Sequence, residues 1–140
     1  MAKINVGRVI LGGIVAGIVI DAIEYVLNGI VLADRWTQLM SSINRPPVGL
    51  HGVIHFELLG LVQGLAAVWT YAAIRPRFGA GPKTAVYAAL LNWVLGYFVT
   101  DLFPTVMGVI PPDVTLTMLA VGLVEIVVAT LVGAWLYKEA

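Results

Sequence analysis

Residues 12–28 read GGIVAGIVIDAIEYVLN. The run is apolar enough to enter a bilayer, yet it carries Asp21 and Glu24. At about 3.6 residues per turn, Gly13, Gly17, Asp21, Glu24 and Asn28 fall along one stripe of a helix. Glycines on such a stripe let a second helix approach closely. Carboxylates on it are costly in hydrocarbon unless something pairs with them or uses them. The stripe predicts a membrane helix with close packing along its first half and a polar site along its second.

Composition sets the class. Of 140 residues, 60% are hydrophobic and 11% charged, against about 25% charged in a soluble domain. That deficit assigns the chain to the integral membrane proteins, and its length suits one domain, residues 1–140. Lys+Arg and Asp+Glu balance at eight each, so no net field draws the chain to nucleic acid. The chain has no cysteine, which excludes disulfides, thiolate metal sites and cysteine nucleophiles. Lys3 and Arg8 precede the first apolar run, as in a signal peptide. The run continues well past a signal-peptide core, so it is read as a retained first span.

Four segments reach the length of about 20 residues that a crossing helix needs: residues 6–32, 48–74, 84–103 and 114–137. The expected fold is all-α, with four transmembrane helices in an antiparallel bundle. Between the first two spans, Trp36, Leu39, Met40 and Ile43 recur at helical spacing within residues 34–45. This predicts a short amphipathic helix at the interface, ended by Pro46 and Pro47. The next connection, RPRFGAGPK, is a tight basic turn. Lys3, Arg8, Arg75, Arg77, Lys83 and Lys138 then share one side of the membrane, with Arg35 and Arg45 on the other. The excess places both termini in the cytoplasm, in a multi-pass protein of a bacterial-type inner membrane. DAIEYVLNGIV also resembles DLFPTVMGVI, which suggests two repeated helical hairpins.

Depth follows from counting at about 1.5 Å per residue from the cytoplasmic ends. Asp21 comes level with Glu125. Asp101 falls between Glu24 and Asn28, His55 falls level with Asn28, and His51 lies about a turn beyond. Met118, Gly122, Glu125, Ala129 and Gly133 form a second small-residue stripe with one acid in it. Matching the stripes sets Gly17 against Ala129 and Asp21 against Glu125. Two carboxylates so placed cannot both ionise easily in low dielectric, and share a proton unless a cation lies between them. The candidate ligand- or ion-binding residues are Asp21, Glu24, Asn28, His55, Asp101 and Glu125.

His51 and His55 stand at i and i+4, so their rings leave one helix face. Joined with Glu24, Asp101 and Glu125 they would make an imidazole–carboxylate set of the kind that suits zinc, iron or manganese. The Glu-x-x-His motif of ferritin-like bundles is absent, because no Glu precedes either histidine by three. Glu57 shares a stripe with Gly60, Gly64 and Ala67, roughly opposite the histidines. If the histidines face inward, Gly60 and Gly64 offer a homodimer face; otherwise they pack within the chain.

Gly12, Gly13, Gly17, Glu24, Tyr25, Gly29 and Trp36, with Gly133 and Trp135 near the end, resemble the pattern of small bacterial four-helix membrane proteins of unknown function. The resemblance implies four transmembrane helices and assigns no activity. Nucleotide-binding and serine-nucleophile motifs are absent. Three functions fit: binding or transport of a cation, a proton or a small polar ligand; acid–base or metal catalysis on a lipid-soluble substrate; or a structural subunit of a membrane complex.

Overall fold

The computed structural model describes residues 3–139. All regular structure among them is helical. The helices are α1 (Val6–Val26), α2 (Ala33–Ser42), α3 (Leu50–Phe78), α4 (Pro82–Trp93), α5 (Val99–Val106) and α6 (Pro112–Leu136). A π-helical segment, Leu27–Val31, continues α1, and a second, Val94–Phe98, joins α4 to α5. Four continuous helices are long and apolar enough to cross a membrane: Val6–Val31, Leu50–Phe78, Pro82–Val106 and Pro112–Leu136. The chain is an all-helical, multi-pass membrane protein.

Its outer surface is apolar. Ile18, Leu59, Phe103, Leu116 and Val124 are all more than half exposed, as suits contact with lipid chains. Small residues fill the core instead: Ala16, Ala67, Ala88, Ala89 and Ala129 have no measurable exposure. Without a hydrophobic drive between helices in lipid, such close contact is what holds them together.

The tightest seam joins α1 to α3. A Cβ on Gly13 would stand 2.7 Å from the Leu65 Cα, and one on Gly17 would stand 2.6 Å from the Leu61 Cα. Gly60 and Gly64 lie on the facing side, against Asp21 and against Gly13 and Gly17. Residue numbers rise along α1 as they fall along α3. The Gly60–Gly64 stripe, offered by sequence as a homodimer face, is therefore covered by α1 of the same chain.

The helix α6 packs on α1, α4 and α3. Gly133 meets Gly12, Ala16 and Val68, and Thr130 closes locally on the Ile126 carbonyl at 2.6 Å. Asn92 on α4 donates to Thr70 on α3 at 3.1 Å. The α3–α4 turn uses Gly79 and Gly81 at φ 86° and 128°, which a side chain would resist. The two stretches paired as a repeat take different conformations: Gly29 lies inside a helical segment, while Gly108 follows α5 in a turn at φ 74°.

The short helix α2 is amphipathic, as its spacing predicts, and none of its residues is fully buried. Arg35 pairs with Asp113 at the start of α6, at 2.6 Å. Trp36 joins Ile110, Met118 and Val121 around the buried side chains of Leu27, Leu32 and Val114. These contacts set α2 across the ends of the first and fourth spans.

Candidate functional site

The most deeply buried ionisable side chain is Glu125, with 0% exposure. It projects from α6 among Gly122, Ile126 and Ala129, all buried. Tyr97 donates its hydroxyl to Glu125 Oε1 at 2.6 Å. A Cβ on Gly122 would strike the Tyr97 ring, so the glycine one turn away makes room for the phenol. Oε2 of Glu125 is buried and has no hydrogen-bond partner.

From α1, the Glu24 carboxyl comes within hydrogen-bonding reach of Glu125. Asn28 donates from Nδ2 to Glu24 Oε2. Trp36 on α2 in turn donates from Nε1 to Asn28 Oδ1 at 2.9 Å. One polar chain therefore runs Trp36–Asn28–Glu24–Glu125–Tyr97, from the surface helix into the bundle. Asp101, half-buried on α5, adds its field to Glu24 and Tyr97.

The two direct donors share an origin. Asn28 lies in the π-helical segment Leu27–Val31 and Tyr97 in the segment Val94–Phe98. Each segment has a glycine at its centre, Gly29 and Gly96. A π-turn widens the helix by one residue and re-aims the side chains on it, and such turns often mark functional positions.

Asp21 and Glu125 are not the pair that the fold assembles. The stripe that reaches α6 is Gly12, Ala16, Ile20, Glu24, with Gly12 and Ala16 against Gly133. Gly13, Gly17 and Asp21 form the neighbouring stripe and turn to α3. Asp21 there lies against Gly60 and faces Glu57. These two acids, with Ile18, Ala22 and Tyr25, line a shallow groove of about 520 Å³ open to the lipid side. The register between α1 and α6 is close to the one expected; the acid that uses it is Glu24.

The histidines are also displaced from their expected setting. His51 and His55 are exposed near the start of α3. Their rings meet edge to face at 4.7 Å, and His55 Nδ1 lies 2.7 Å from the His51 carbonyl oxygen. Because Gly60, Gly64 and Ala67 turn toward α1, the opposite face carrying both rings turns out of the bundle. His51 and His55 therefore do not join Glu24, Asp101 and Glu125. Among the described residues, no three His, Asp or Glu side chains group so as to hold a metal ion. The residues do not fit a zinc, iron or manganese centre.

Sequence reasoning missed Tyr97 and the polar role of Trp36. Tyr97 had a signal: it follows Gly96, the residue that depth counting sets level with Asp21. No family model, curated protein or solved structure matches the chain.

Proposed function

We propose that the protein binds or transports a proton or small cation at the Glu24–Glu125 pair. One observation carries the reading: Glu125 is fully buried, its Oε2 has no partner, and a second carboxyl, Glu24, comes within reach of it. A buried acid pair without a counter-charge is unstable as two anions. A positive species between the two groups resolves it. Both termini are read as cytoplasmic, because Lys3, Arg8, Arg75, Arg77, Lys83 and Lys138 share one side of the four spans and an excess of basic residues favours the cytoplasmic side. On that orientation Trp36 and α2 stand at the outer end, with the acid pair beneath them.

Proton and cation uptake by the purified chain in liposomes, compared with Glu24→Gln and Glu125→Gln, tests the reading. Uptake lost in both variants supports it; uptake unchanged in both overturns it. A second reading draws on the lipid-facing groove: Asp21 and Glu57 act as acid and base on a lipid-soluble substrate, with Tyr25 at the groove edge. Turnover of such a substrate that survives Asp21→Asn and Glu57→Gln together removes that alternative.

A further inference from the structure

We infer that the ligand of the Glu24–Glu125 pair is one shared proton, and that Trp36 fixes where it sits. The inference rests on the proton-or-cation reading above and narrows it. A tryptophan N–H only donates, so Trp36 draws the carbonyl oxygen of Asn28 toward itself. The amide nitrogen of Asn28 must then point the other way, where it donates to Glu24 Oε2. An N–H needs an acceptor, so Glu24 Oε2 carries no proton. On the far side, the Tyr97 hydroxyl occupies Glu125 Oε1 as an acceptor.

Two oxygens remain: the second oxygen of Glu24, and Oε2 of Glu125, buried without a partner. A single proton between the two carboxyls makes one O–H···O bond, satisfies that atom and removes one of two negative charges. With no proton, two anions face each other in low dielectric. With two, one hydroxyl is left without an acceptor. A metal cation is a poorer fit, since hard cations take about six or more oxygen ligands. The described residues group no three acids or histidines for that purpose.

The charged surroundings point the same way. Asp101 on α5 and Tyr97 lie by the pair, Asp21 on the neighbouring stripe of α1 is close enough for its charge to be felt there, and Glu57 on α3 faces Asp21. All are acids. On α2, Arg35 is held by Asp113 at the start of α6. The other basic residues lie in connections, at chain ends, or in the first or last turns of the spans. Trp36 thus acts as a positioning residue through Asn28.

The test is infrared spectroscopy of the full chain in liposomes, titrated in H₂O and in D₂O. The expected result is one protonated-carboxyl band per chain that shifts in D₂O and is lost in both Glu24→Gln and Glu125→Gln. Trp36→Phe keeps the ring and removes the donor, so it shifts the band and the midpoint of its titration. Trp69→Phe, on an exposed indole, leaves both in place. As a measurement on the unaltered protein, the indole ¹⁵N–¹H resonance of Trp36 follows the same midpoint, and loses that response in Glu24→Gln. Survival of that band in either Gln variant, loss of two bands rather than one in those variants, or a Trp36 resonance blind to the titration overturns the inference. Stoichiometric ²²Na⁺ binding that abolishes the band overturns it while leaving the proton-or-cation reading intact. Neither titration nor Na⁺ binding would end both.

Discussion

Replacing Gly64 by alanine probes the α1–α3 seam on which the placement of Asp21 and Glu24 depends. A Cβ at Gly64 would meet the Gly17 nitrogen and the Gly13 carbonyl oxygen, with the Gly17 Cα at 2.6 Å. All three are backbone atoms, so no side chain can swing aside. Restoring ordinary contact at about 3.5 Å requires the helices to part by about 1 Å. Overpacking of this kind costs about 1–3 kcal/mol, and rigid neighbours argue for the upper end. Alanine returns about 1 kcal/mol of helix propensity. The net expectation is a loss of about 2 kcal/mol, or about a 30-fold fall in the folded-to-unfolded ratio. Denaturant unfolding in detergent micelles, followed by circular dichroism, reads this directly. Gly49→Ala is the control, because its Cβ meets nothing within 4 Å. If Gly64→Ala unfolds at the same denaturant concentration as Gly49→Ala, the close seam is refuted.

Tyr97→Phe leaves Glu125 Oε1 buried without its donor. It should lower stability by about 1–3 kcal/mol in the same unfolding assay, and a smaller loss in Glu125→Gln/Tyr97→Phe than the sum of the single losses shows that the two act together. Arg35→Ala breaks an ion pair whose side chains are 43% and 65% exposed. Its cost should stay under about 1 kcal/mol and shrink at high salt; a larger, salt-independent loss would mean that the pair is shielded from water. His51→Ala with His55→Ala should leave proton uptake unchanged, since both rings lie outside the polar chain. Reduced uptake in that double variant would return the histidines to the site.

Sequence alone reached the four spans and the amphipathic α2. Each rests on a quantity that runs along the chain: apolar length or spacing. Azimuth was harder. His55 does lie near the start of α3, yet depth says nothing of which way a ring points. The direction of α3 is set by where Gly60 and Gly64 find a partner. Sequence left that choice open between another copy and the same chain, and it resolves only when α1 is seen to fill it. Tyr97 was hidden for a related reason. Its aim at Glu125 depends on a π-turn, and a π-turn has no period of its own in the sequence.

Asp21 and Glu24, three residues apart, serve different partners because they stand on different faces of α1. An α-helix turns about 100° per residue, so positions in steps of four drift slowly round the axis and hold one face over several turns. Gly13, Gly17 and Asp21 make one such series; Gly12, Ala16, Ile20, Glu24 and Asn28 make the next. The adjacent glycines Gly12 and Gly13 start the two faces, and each draws in a different helix: Gly13 admits α3, and Gly12 admits α6. Treating both glycines as one packing stripe merges the acids. Treating them as the starts of two series separates Asp21, toward the groove with Glu57, from Glu24, toward Glu125. Asn28 then belongs to the α6 series, which is why it can support Glu24 while receiving Trp36 from outside. A doublet of glycines at the head of a membrane helix with two acids is thus a sequence signal for two helix contacts. Each acid is assigned by counting in fours from its own glycine.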